Sequence, residues 1–430
     1  MNTPPPSPRP VAPERVLVIG AGIVGACTAL ELQSAGMAVT LIDAGDPAGG
    51  TTGGNAGLIS VDSCLPIALP GLLRQLPGLL GDADGPLSID PAMLLRRFGW
   101  FWDRLLSTRM ARTLAISDAL RALHVGAIDD YRRLLGPDFD ALVQTRGQWH
   151  VRAATTMSDT DRVIDVLRMR HGVRTQEVAD DDLQRRLPGL APAMRRGTWM
   201  PDNAHTVDPA ALTRGLVQRF TQLGGQWTTR RVRALQVDGG GAVGVATDAG
   251  ELRPQAVVVC AGMQAQALLA PLGVNLPLLA ERGYHAQLPP QDGLPEVPVL
   301  FKSHGFVLTP MRQGPRLAGK AEITAPDAPP NERRMQGMLE QARRCWPALR
   351  VEGVVFWRGD RPSTADSLPV IGPVLPAAPR LLVAGGHGHT GLTGAPMTAR
   401  IVRAQLQGLP SPIDARPYAL ARFQRLQRSH

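Results

Sequence analysis

The sequence predicts an α/β protein with two lobes, one of them built on a parallel sheet. A chain of 430 residues can bury more than one large core, and its apolar fraction of 44% is that of a globular protein. Two short apolar runs, at residues 16–19 and 256–262, have the form of buried parallel strands. Each run leads into a turn of small residues, so we expect the two strands to lie beside each other in one sheet.

The stretch at residues 15–43 predicts a dinucleotide site. Its apolar run leads into Gly20-x-Gly22-x-x-Gly25, a helix-periodic stretch and a second apolar run that ends at Asp43. Gly20 permits the tight turn, Gly22 lets the backbone approach a pyrophosphate, and Gly25 lets the helix pack on the strand. The helix N-terminus offers N–H groups and the positive end of its dipole to the phosphates. Asp43 can accept hydrogen bonds from both hydroxyls of an adenosine ribose. An ordinary glycine-rich turn would not explain an acid at this position.

The remaining patterns predict an alternation of helices and strands along the chain. A glycine-rich loop covers residues 44–60, and prolines break the apolar segment 65–80 into short turns. The predicted helices cover residues 91–135 (with interruptions), 159–171, 207–223 (Asp208 as N-cap, Pro209 in its first turn), 331–345 and 397–406. The predicted strands cover residues 145–151, two or three antiparallel strands within 227–252, the parallel strand 256–262 and several strands within 277–323.

The dinucleotide-type elements occur in three separate blocks, residues 14–62, 190–270 and 355–430. We assign these blocks to one discontinuous cofactor domain, and the intervening blocks, 63–189 and 271–354, to a second lobe that covers the substrate. NAD dehydrogenases tend to keep their dinucleotide domain continuous, so this layout argues against that class.

The charge of the chain does not indicate a nucleic-acid partner. The net charge is +9, but the basic residues are scattered through every segment, and only Lys302 and Lys320 are lysines. Aromatic residues make up only 4% of the chain, which excludes broad stacking platforms. A loose electrostatic preference for an anionic membrane surface stays open. No apolar run has the length of a membrane span, so we expect a cytoplasmic protein, at most peripheral to the inner membrane.

The cysteines argue for a reducing compartment. Cys27, Cys64, Cys260 and Cys345 lie far apart and form no C-x-x-C pattern, which disfavours disulfides and a metal site. Residues 1–13 are rich in proline and lack the apolar region of a signal peptide, so we expect a disordered lead-in.

Three later motifs resemble the FAD-dependent D-amino acid dehydrogenases, a group that is similar to glycine oxidase, sarcosine oxidase and D-amino acid oxidase. The motifs are TTGGNAGLIS at residues 51–60, RGDRPSTADSLPVIGP at 358–373 and GGHGHTGLTGAP at 385–396. The segments RGY at 282–284 and LAGKAEI at 317–323 fall in the expected order, so the resemblance covers nearly the whole chain after Pro13. The chain departs from the group at Ala365-Asp366, where many members carry Pro-Asp.

The resemblance implies a p-hydroxybenzoate-hydroxylase-like fold: a Rossmann-like FAD-binding domain, and a substrate domain whose antiparallel sheet roofs the flavin. FAD is expected to be non-covalent, because the chain lacks the cysteine that anchors it in sarcosine oxidases. Residues 51–60 would wrap the pyrophosphate, Val232 would contact the adenine through its backbone, and residues 385–393 would approach the flavin pyrimidine ring. The residues expected to contact FAD are Gly20, Ala21, Gly22, Ile23, Val24, Gly25, Asp43, Ala44, Thr51, Thr52, Asn55, Ala56, Gly57, Leu58, Ile59, Val232, Ala261, Gly262, Gly386, His387, Gly388, His389, Thr390, Gly391, Leu392 and Thr393.

The resemblance also implies oxidation of a D-amino acid by hydride transfer from Cα to flavin N5, with a quinone-type acceptor taking the electrons. Arg361 matches the arginine that grips the substrate carboxylate in glycine oxidase, and a planar guanidinium suits that task. Tyr284 is expected to share the carboxylate or line the pocket. His389 or His387 is expected to contact the flavin or accept the amine proton.

Several alternatives stay open. The substrate can instead be a cyclic secondary amine, such as D-proline or hydroxy-D-proline, or the enzyme can be an oxidase of glycine or sarcosine that uses oxygen. A protein that binds FAD only for structural or electron-relay purposes is the alternative outside this class. The sequence does not assign roles to His205, His285, His304 or Lys320, or an oligomeric state.

Overall fold

A computed structural model describes residues 14–71, 85–153 and 158–424 of the chain. The predictions for residues 1–13 and for part of the apolar segment 65–80 lie outside these ranges. The helices are α1 (Ile23–Ser34), α2 (Pro91–Arg96), α3 (Phe98–Ser107), α4 (Met110–His124), α5 (Ala127–Leu135), α6 (Phe139–Leu142), α7 (Asp159–Arg170), α8 (Asp180–Arg186), α9 (Pro209–Gln222), α10 (Gln264–Leu269), α11 (Glu332–Cys345), α12 (Gly391–Gln407) and α13 (Ala421–Gln424). The strands are β1 (Arg15–Ile19), β2 (Ala38–Asp43), β3 (Leu58–Ile59), β4 (Leu87–Ile89), β5 (Val143–Gln144), β6 (Gln148–Arg152), β7 (Gln176–Ala179), β8 (Arg196–Met200), β9 (Ala204–Thr206), β10 (Gln226–Thr229), β11 (Val232–Val237), β12 (Val243–Thr247), β13 (Gly250–Leu252), β14 (Ala256–Val259), β15 (Leu279–Gln287), β16 (Val299–Phe301), β17 (Phe306–Thr309), β18 (Arg316–Ile323), β19 (Val355–Ser363), β20 (Val370–Leu375) and β21 (Ala378–Gly385).

The first lobe is built on a six-stranded sheet in the order β10-β2-β1-β14-β21-β20. Its strands are parallel except β20, which runs antiparallel to β21. The predicted neighbourhood of the two apolar runs is confirmed, because Val16 to Ile19 pair with Ala256 to Val259 in parallel register. Helix α1 packs against α9 and α12 on one face of the sheet, and these elements share the largest apolar core.

The second lobe is built on a nine-stranded, mainly antiparallel sheet with the path β19-β15-β18-β17-β16-β6-β8-β7, to which β4 adds beside β18. The pairs β16–β6 and β18–β4 are parallel. Helix α11 packs against β15 and β18, and Trp346 and Phe306 lie in the core beneath it. The predicted combination of a Rossmann-like lobe with an antiparallel roof is therefore the observed fold. Strands β8 and β19 lie in this sheet although their residues fall in the blocks that we assigned to the FAD-binding domain, so the domain boundaries stay a prediction.

Helix α9 agrees with its prediction, since Asp208 caps it and Oδ1 accepts the N–H of Ala211 at 2.9 Å. The predicted helix at 331–345 is likewise present as α11, with Asn331 as its N-cap.

The prediction of antiparallel strands within residues 227–252 needs one correction. The run at Trp227 forms β10 of the parallel sheet, and the antiparallel group consists of β11, β12 and β13.

The C-terminal helix begins at Gly391, not at Met397 as predicted, and continues through Pro396. Proline has no N–H, so the carbonyl four residues earlier loses its helical partner. That carbonyl belongs to Leu392, and it accepts the hydroxyl of buried Tyr131 at 2.6 Å instead. This bond replaces the missing one, and the helix can therefore start six residues earlier than the proline suggested.

The four cysteines are free and buried. Burial raises the pKa of the Cys260 thiol to about 12 and that of Cys345 to about 11, so both stay protonated. Across the described ranges, no helix is both long enough and apolar enough to span a bilayer.

Candidate cofactor and substrate site

A cavity of about 1110 Å³ lies between the two lobes. Its floor is formed where β1, β2, β14 and β21 end, and its roof by residues of β15, β17, β18 and β19. Open α/β sheets bind their ligands at the carboxyl ends of the strands, and this cavity lies at those ends. Its volume exceeds the roughly 300–1,000 Å³ of a pocket for one drug-sized molecule. There is therefore room for a dinucleotide and a small substrate.

The first glycine turn closes one end of the cavity. Gly20 has φ +107°, and a Cβ on it would lie 2.6 Å from the carbonyl oxygen of Cys260. A Cβ on Gly25 would lie 1.7 Å from the carbonyl oxygen of Gly20, so any side chain there would force the helix away from the strand. Gly22 faces the cavity, with Thr52 Oγ1 at 3.2 Å from its Cβ position. The first and third glycines thus maintain the fold, and the second leaves room for a ligand.

Asp43 ends β2 at the same end of the cavity. One carboxylate oxygen accepts the N–H of Ala21 at 2.7 Å, and the other accepts the N–H of Gly45 at 3.1 Å. Each oxygen keeps a lone pair for a further donor, such as a ribose hydroxyl. Val232, predicted to contact an adenine, lines the same region.

The loop after Asp43 is fixed by contacts with the second lobe. Thr51 Oγ1 donates to the carbonyl oxygen of Asp360 at 3.1 Å, and Thr309 Oγ1 donates to that of Ala56 at 2.9 Å. Gly54 lies against the ring of Trp357, where a Cβ would approach Cδ2 to 2.4 Å. These contacts hold the loop in the wall of the cavity, so its backbone can approach a bound cofactor along most of its length.

The second glycine-rich turn follows β21 and lines the same cavity. Gly386 and Gly388 adopt positive φ angles of +82° and +53°, and α12 begins three residues later at Gly391. Its first residues line the cavity, so the positive end of the α12 dipole faces the interior. A helix N-terminus stabilises negative charge on a ligand placed before it. The two glycine turns and the acid at Asp43 fit FAD, with its nucleotide at one end and its flavin ring at the other.

Most residues predicted to contact FAD line this cavity. Five do not, and they lie behind its wall: Ala21, Gly25, Ile59, Thr390 and Thr393. Thr393 has a supporting contact, because its Oγ1 accepts the N–H of Ser60 at 3.1 Å.

A charged cluster forms the wall beside the second glycine turn. Glu281 on β15 lies at its centre, and its Oε1 is 2.8 Å from His389 Nε2 and 3.8 Å from Arg361 Nη1. Ser363 Oγ donates to its other oxygen at 3.4 Å. Burial raises the pKa of Glu281, but the charge and hydrogen bond of His389, together with Arg361 and Arg104, lower it to about 2. The site therefore contains a buried carboxylate that stays ionised.

Glu281 was not among the residues that the sequence indicated. The signal was a single carboxylate within the apolar strand that begins LPLLAERGYH, where an acid without a partner would be costly. Its partners lie far along the chain, on α3, on β19 and in the turn before α12, so only the folded structure brings them together.

Arg361 lies across the backbone of Gly283 on the neighbouring strand. A Cβ on Gly283 would lie 2.2 Å from Arg361 Nη2, so only glycine lets the guanidinium lie flat there. Arg361 Nη1 is buried and makes no hydrogen bond within the described residues. Burial lowers the pKa of this guanidinium and Glu281 partly restores it, so the group remains a cation with a free donor at the cavity wall.

Tyr284 is not joined to this cluster. Its hydroxyl donates to Glu322 Oε2 at 2.5 Å and accepts the N–H of Asn331 at 3.1 Å, and the side chain is buried. The hydroxyl therefore links β15, β18 and the start of α11, while other atoms of the residue line the cavity.

His387 also has an internal partner. Its Nε2 lies 2.8 Å from Thr398 Oγ1, and burial, with a smaller contribution from His124, lowers its pKa to about 3. His389, whose side chain is 39% exposed, is the histidine of this turn that reaches solvent.

His285, Lys320 and His304 have structural partners, whereas the buried Nδ1 of His205 makes no hydrogen bond with a described residue. His285 stacks on Trp357 with ring centres 4.9 Å apart, and its Nδ1 lies 2.8 Å from the Gly54 carbonyl oxygen. Lys320 lines the cavity, and its Nζ donates to Gln341 Oε1 at 2.7 Å. His205 is buried in β9, and His304 lies beside Phe306.

The two-lobed fold and its dinucleotide cavity define an oxidoreductase of the flavin-binding class. The chain belongs to the family of FAD dependent oxidoreductases, whose model matches residues 15–405. Its cofactor is therefore FAD, as the sequence predicted.

Curated relatives are similar over almost their whole length. The D-amino-acid oxidase of Bradyrhizobium diazoefficiens is 33% identical over 95% of this chain and 98% of the relative. The D-amino acid dehydrogenase of Paramagnetospirillum magneticum is 31% identical over 95% of this chain and 99% of the relative. Among solved structures, glycine oxidase from Geobacillus kaustophilus has a TM-score of 0.71 at 21% identity, covering 95% of this chain and 98% of that one. L-proline dehydrogenase from P. horikoshii has a TM-score of 0.70 at 18% identity, covering 96% and 98%. The two structures support the fold alone.

Proposed function

We propose that this protein oxidises the amine of a D-amino acid to the imino acid, which water then hydrolyses to the 2-oxo acid. The observation that carries the proposal is the cluster of Arg361, Glu281 and His389 in the wall of the FAD cavity. It combines a cation for a carboxylate with a base for an amine. The relatives named as D-amino acid oxidase and D-amino acid dehydrogenase support the same substrate class. FAD, when bound without a covalent link, supplies the acceptor for the hydride that leaves substrate Cα.

Arg361 binds the α-carboxylate in this proposal. Its Nη1 has no hydrogen-bond partner among the described residues, and a buried donor without a partner costs about 1–3 kcal/mol. A substrate carboxylate would satisfy this donor and compensate the charge. The flat contact of the guanidinium with Gly283 fixes its orientation, so the carboxylate is held in one direction and Cα is positioned.

His389 accepts a proton from the substrate ammonium. Amine oxidation requires the neutral amine, so one proton must leave nitrogen before the hydride leaves Cα. Because Glu281 is ionised, Nε2–H donates to that carboxylate, and the imidazole takes the substrate proton on Nδ1. Glu281 stabilises the resulting imidazolium, and the exposed part of the ring lets the proton pass to solvent.

The electron acceptor in this proposal is a quinone-type molecule. One relative is named an oxidase and another a dehydrogenase. The two activities differ in the molecule that takes the electrons from the reduced flavin. The protein would reach a membrane quinone by contact with the membrane surface.

A substrate panel tests the proposal. FAD-loaded protein is mixed with D-alanine, D-proline, hydroxy-D-proline, glycine, sarcosine and L-alanine, with a dye acceptor, and 2-oxo acid is measured. We expect product from D-amino acids and none from L-alanine. Turnover of D-proline and its hydroxy derivative alone would assign a cyclic amine. Stoichiometric peroxide in air without the dye would replace the dehydrogenase by an oxidase, and no turnover of any amine would overturn the proposal.

A further inference from the structure

Arg104 is a partly buried cation in the wall of the FAD cavity, and the proposed function does not use it. It lies in the last turn of α3, and its guanidinium carbon is 4.4 Å from the centre of the Trp100 ring. Its Nε and Nη2 are buried and make no hydrogen bond with any described residue. It also forms no ion pair with a described carboxylate within 4 Å. A guanidinium in this state lacks the hydrogen bonds that normally accompany a buried charge.

The nearest negative charges do not satisfy Arg104. Burial lowers its pKa, and Glu281 and Asp366 raise it again through space. Glu281 is already engaged by His389 and Ser363, and Asp366 pairs with Arg422 at 2.7 Å. A further carboxylate is therefore needed at Arg104, and the cavity that it lines is where such a group can enter.

The net charge of the side chains around Arg104 and Arg361 also favours binding of a further carboxylate. Arg104 and Arg361 are cations and Glu281 is an anion, while the charge of Asp366 is offset by Arg422, so these side chains leave an excess of at least one positive charge. An ordinary amino acid is a zwitterion and brings no net charge into the site. An amino acid with an acidic side chain brings one net negative charge and neutralises it. Lys320 adds further positive charge to the same cavity.

We propose that Arg104 binds a second carboxylate of the substrate, so that the preferred substrates are acidic D-amino acids such as D-glutamate or D-aspartate. The inference rests on the proposed function, in which Arg361 holds the α-carboxylate. Arg104 then holds the side-chain carboxylate, and Phe101 and Leu105 of the same helix supply apolar wall for the methylene groups.

The test compares D-glutamate with D-glutamine, which has nearly the same shape but no side-chain charge. In the wild-type protein we expect kcat/KM to be higher for D-glutamate. The variant Arg104→Gln should raise the KM for D-glutamate about 10- to 100-fold, because a hydrogen bond to a charged group is lost, and should leave D-glutamine within about 3-fold. Arg104→Lys keeps the charge and should restore part of the preference. Arg96→Gln removes an exposed arginine on the neighbouring helix and serves as the matched control.

A binding measurement separates this inference from the proposed function. Calorimetry with glutarate and with butyrate, neither of which carries an amine, measures binding of a dicarboxylate and a monocarboxylate to the FAD-loaded protein. Tighter binding of glutarate that Arg104→Gln abolishes supports the second carboxylate site even if no amine is oxidised, in which case the proposed function alone fails. Equal weakening of D-glutamate and D-glutamine by Arg104→Gln would place Arg104 at the α-carboxylate and overturn the inference. A wild-type preference for D-glutamine would overturn it as well. Unchanged FAD absorbance and melting temperature show that the variants are folded.

Discussion

His389 Nε2 lies 2.8 Å from Glu281 Oε1, and this contact joins the glycine-rich turn before α12 to strand β15 of the roof. The carboxylate is buried, whereas the imidazole is 39% exposed to solvent. The buried partner holds a constant negative charge, and the other reaches solvent. In the proposed function the pair supplies a base whose position is fixed from the protein interior.

The pair should act as a unit in catalysis. We expect His389→Gln to lower kcat about 100-fold, as loss of a positioned base does, and Glu281→Gln to lower it less. The double variant should be no slower than His389→Gln alone, because Glu281 acts through the imidazole. Steady-state kinetics with a dye acceptor measures this. Additive losses would show that Glu281 acts on the substrate independently.

Glu281 should also make stability depend on pH. Its pKa is lowered from 4.5 to about 2 in the folded protein, so its contribution is present above pH 4.5 and is lost as the pH falls toward 2. The full contribution is about 3 kcal/mol in the free energy of unfolding, from roughly 1.4 kcal/mol per pKa unit. Urea denaturation at pH 7 and pH 3 measures the loss. Glu281→Gln should flatten this part of the pH dependence, and an unchanged profile would contradict the assigned charge.

Arg361→Gln should separate substrate binding from cofactor binding. We expect the KM for the amino acid to rise about 10- to 100-fold, since a charge-assisted contact to the carboxylate is lost, while FAD content stays that of the wild type. Exposed Arg343 on α11 provides the control Arg343→Gln, which should change neither. Wild-type kinetics in Arg361→Gln with normal FAD content would remove the carboxylate assignment.

Tyr284→Phe tests whether the tyrosine touches substrate. The structure gives its hydroxyl two internal partners, Glu322 and the N–H of Asn331. We expect a loss of about 1–3 kcal/mol in the free energy of unfolding, because two buried groups lose a partner, and a KM within about 3-fold of the wild type. A large rise in KM without loss of stability would return Tyr284 to the carboxylate site.

The first glycine turn should respond differently at two of its positions. Gly25→Ala places Cβ 1.7 Å from the carbonyl oxygen of Gly20, so we expect failure to fold. Gly22→Ala meets only Thr52 Oγ1 at 3.2 Å, and we expect a folded protein with weakened FAD binding. Gly99→Ala in α3 has no atom within 4 Å of the new Cβ and serves as control. FAD content and melting temperature are the two readouts, and normal FAD affinity in Gly22→Ala would contradict the placement of the pyrophosphate.

The parts of the fold that the sequence predicted are those that local chemistry determines. The turn at Gly20 and the cap at Asp208 follow from backbone geometry within a few residues. The start of α12 was misplaced because Tyr131, distant in the chain, supplies the bond that Pro396 cannot make. Such compensation between distant residues has no signature in the local pattern.

The residues of the candidate site were likewise predictable from the sequence only in part. Arg361 and His389 lie in motifs that resemble known flavoenzymes, so the sequence indicated them. Glu281 and Arg104 lie in a strand and an aromatic-rich helix that are far apart in the sequence, and only the fold shows that both face one cavity. Tyr284 lies in a matching motif as well, but its hydroxyl is directed to Glu322, which only the packing of α11 on the sheet reveals.

The most direct test of the central claim is anaerobic mixing of the FAD-loaded protein with single D-amino acids and their L-enantiomers, followed through the yellow flavin absorbance. We expect D-amino acids to bleach the flavin in one turnover and their L-enantiomers to leave it yellow, and we expect Arg361→Gln to need a much higher substrate concentration for the same rate. A flavin that keeps its colour with every amine tested would contradict the central claim.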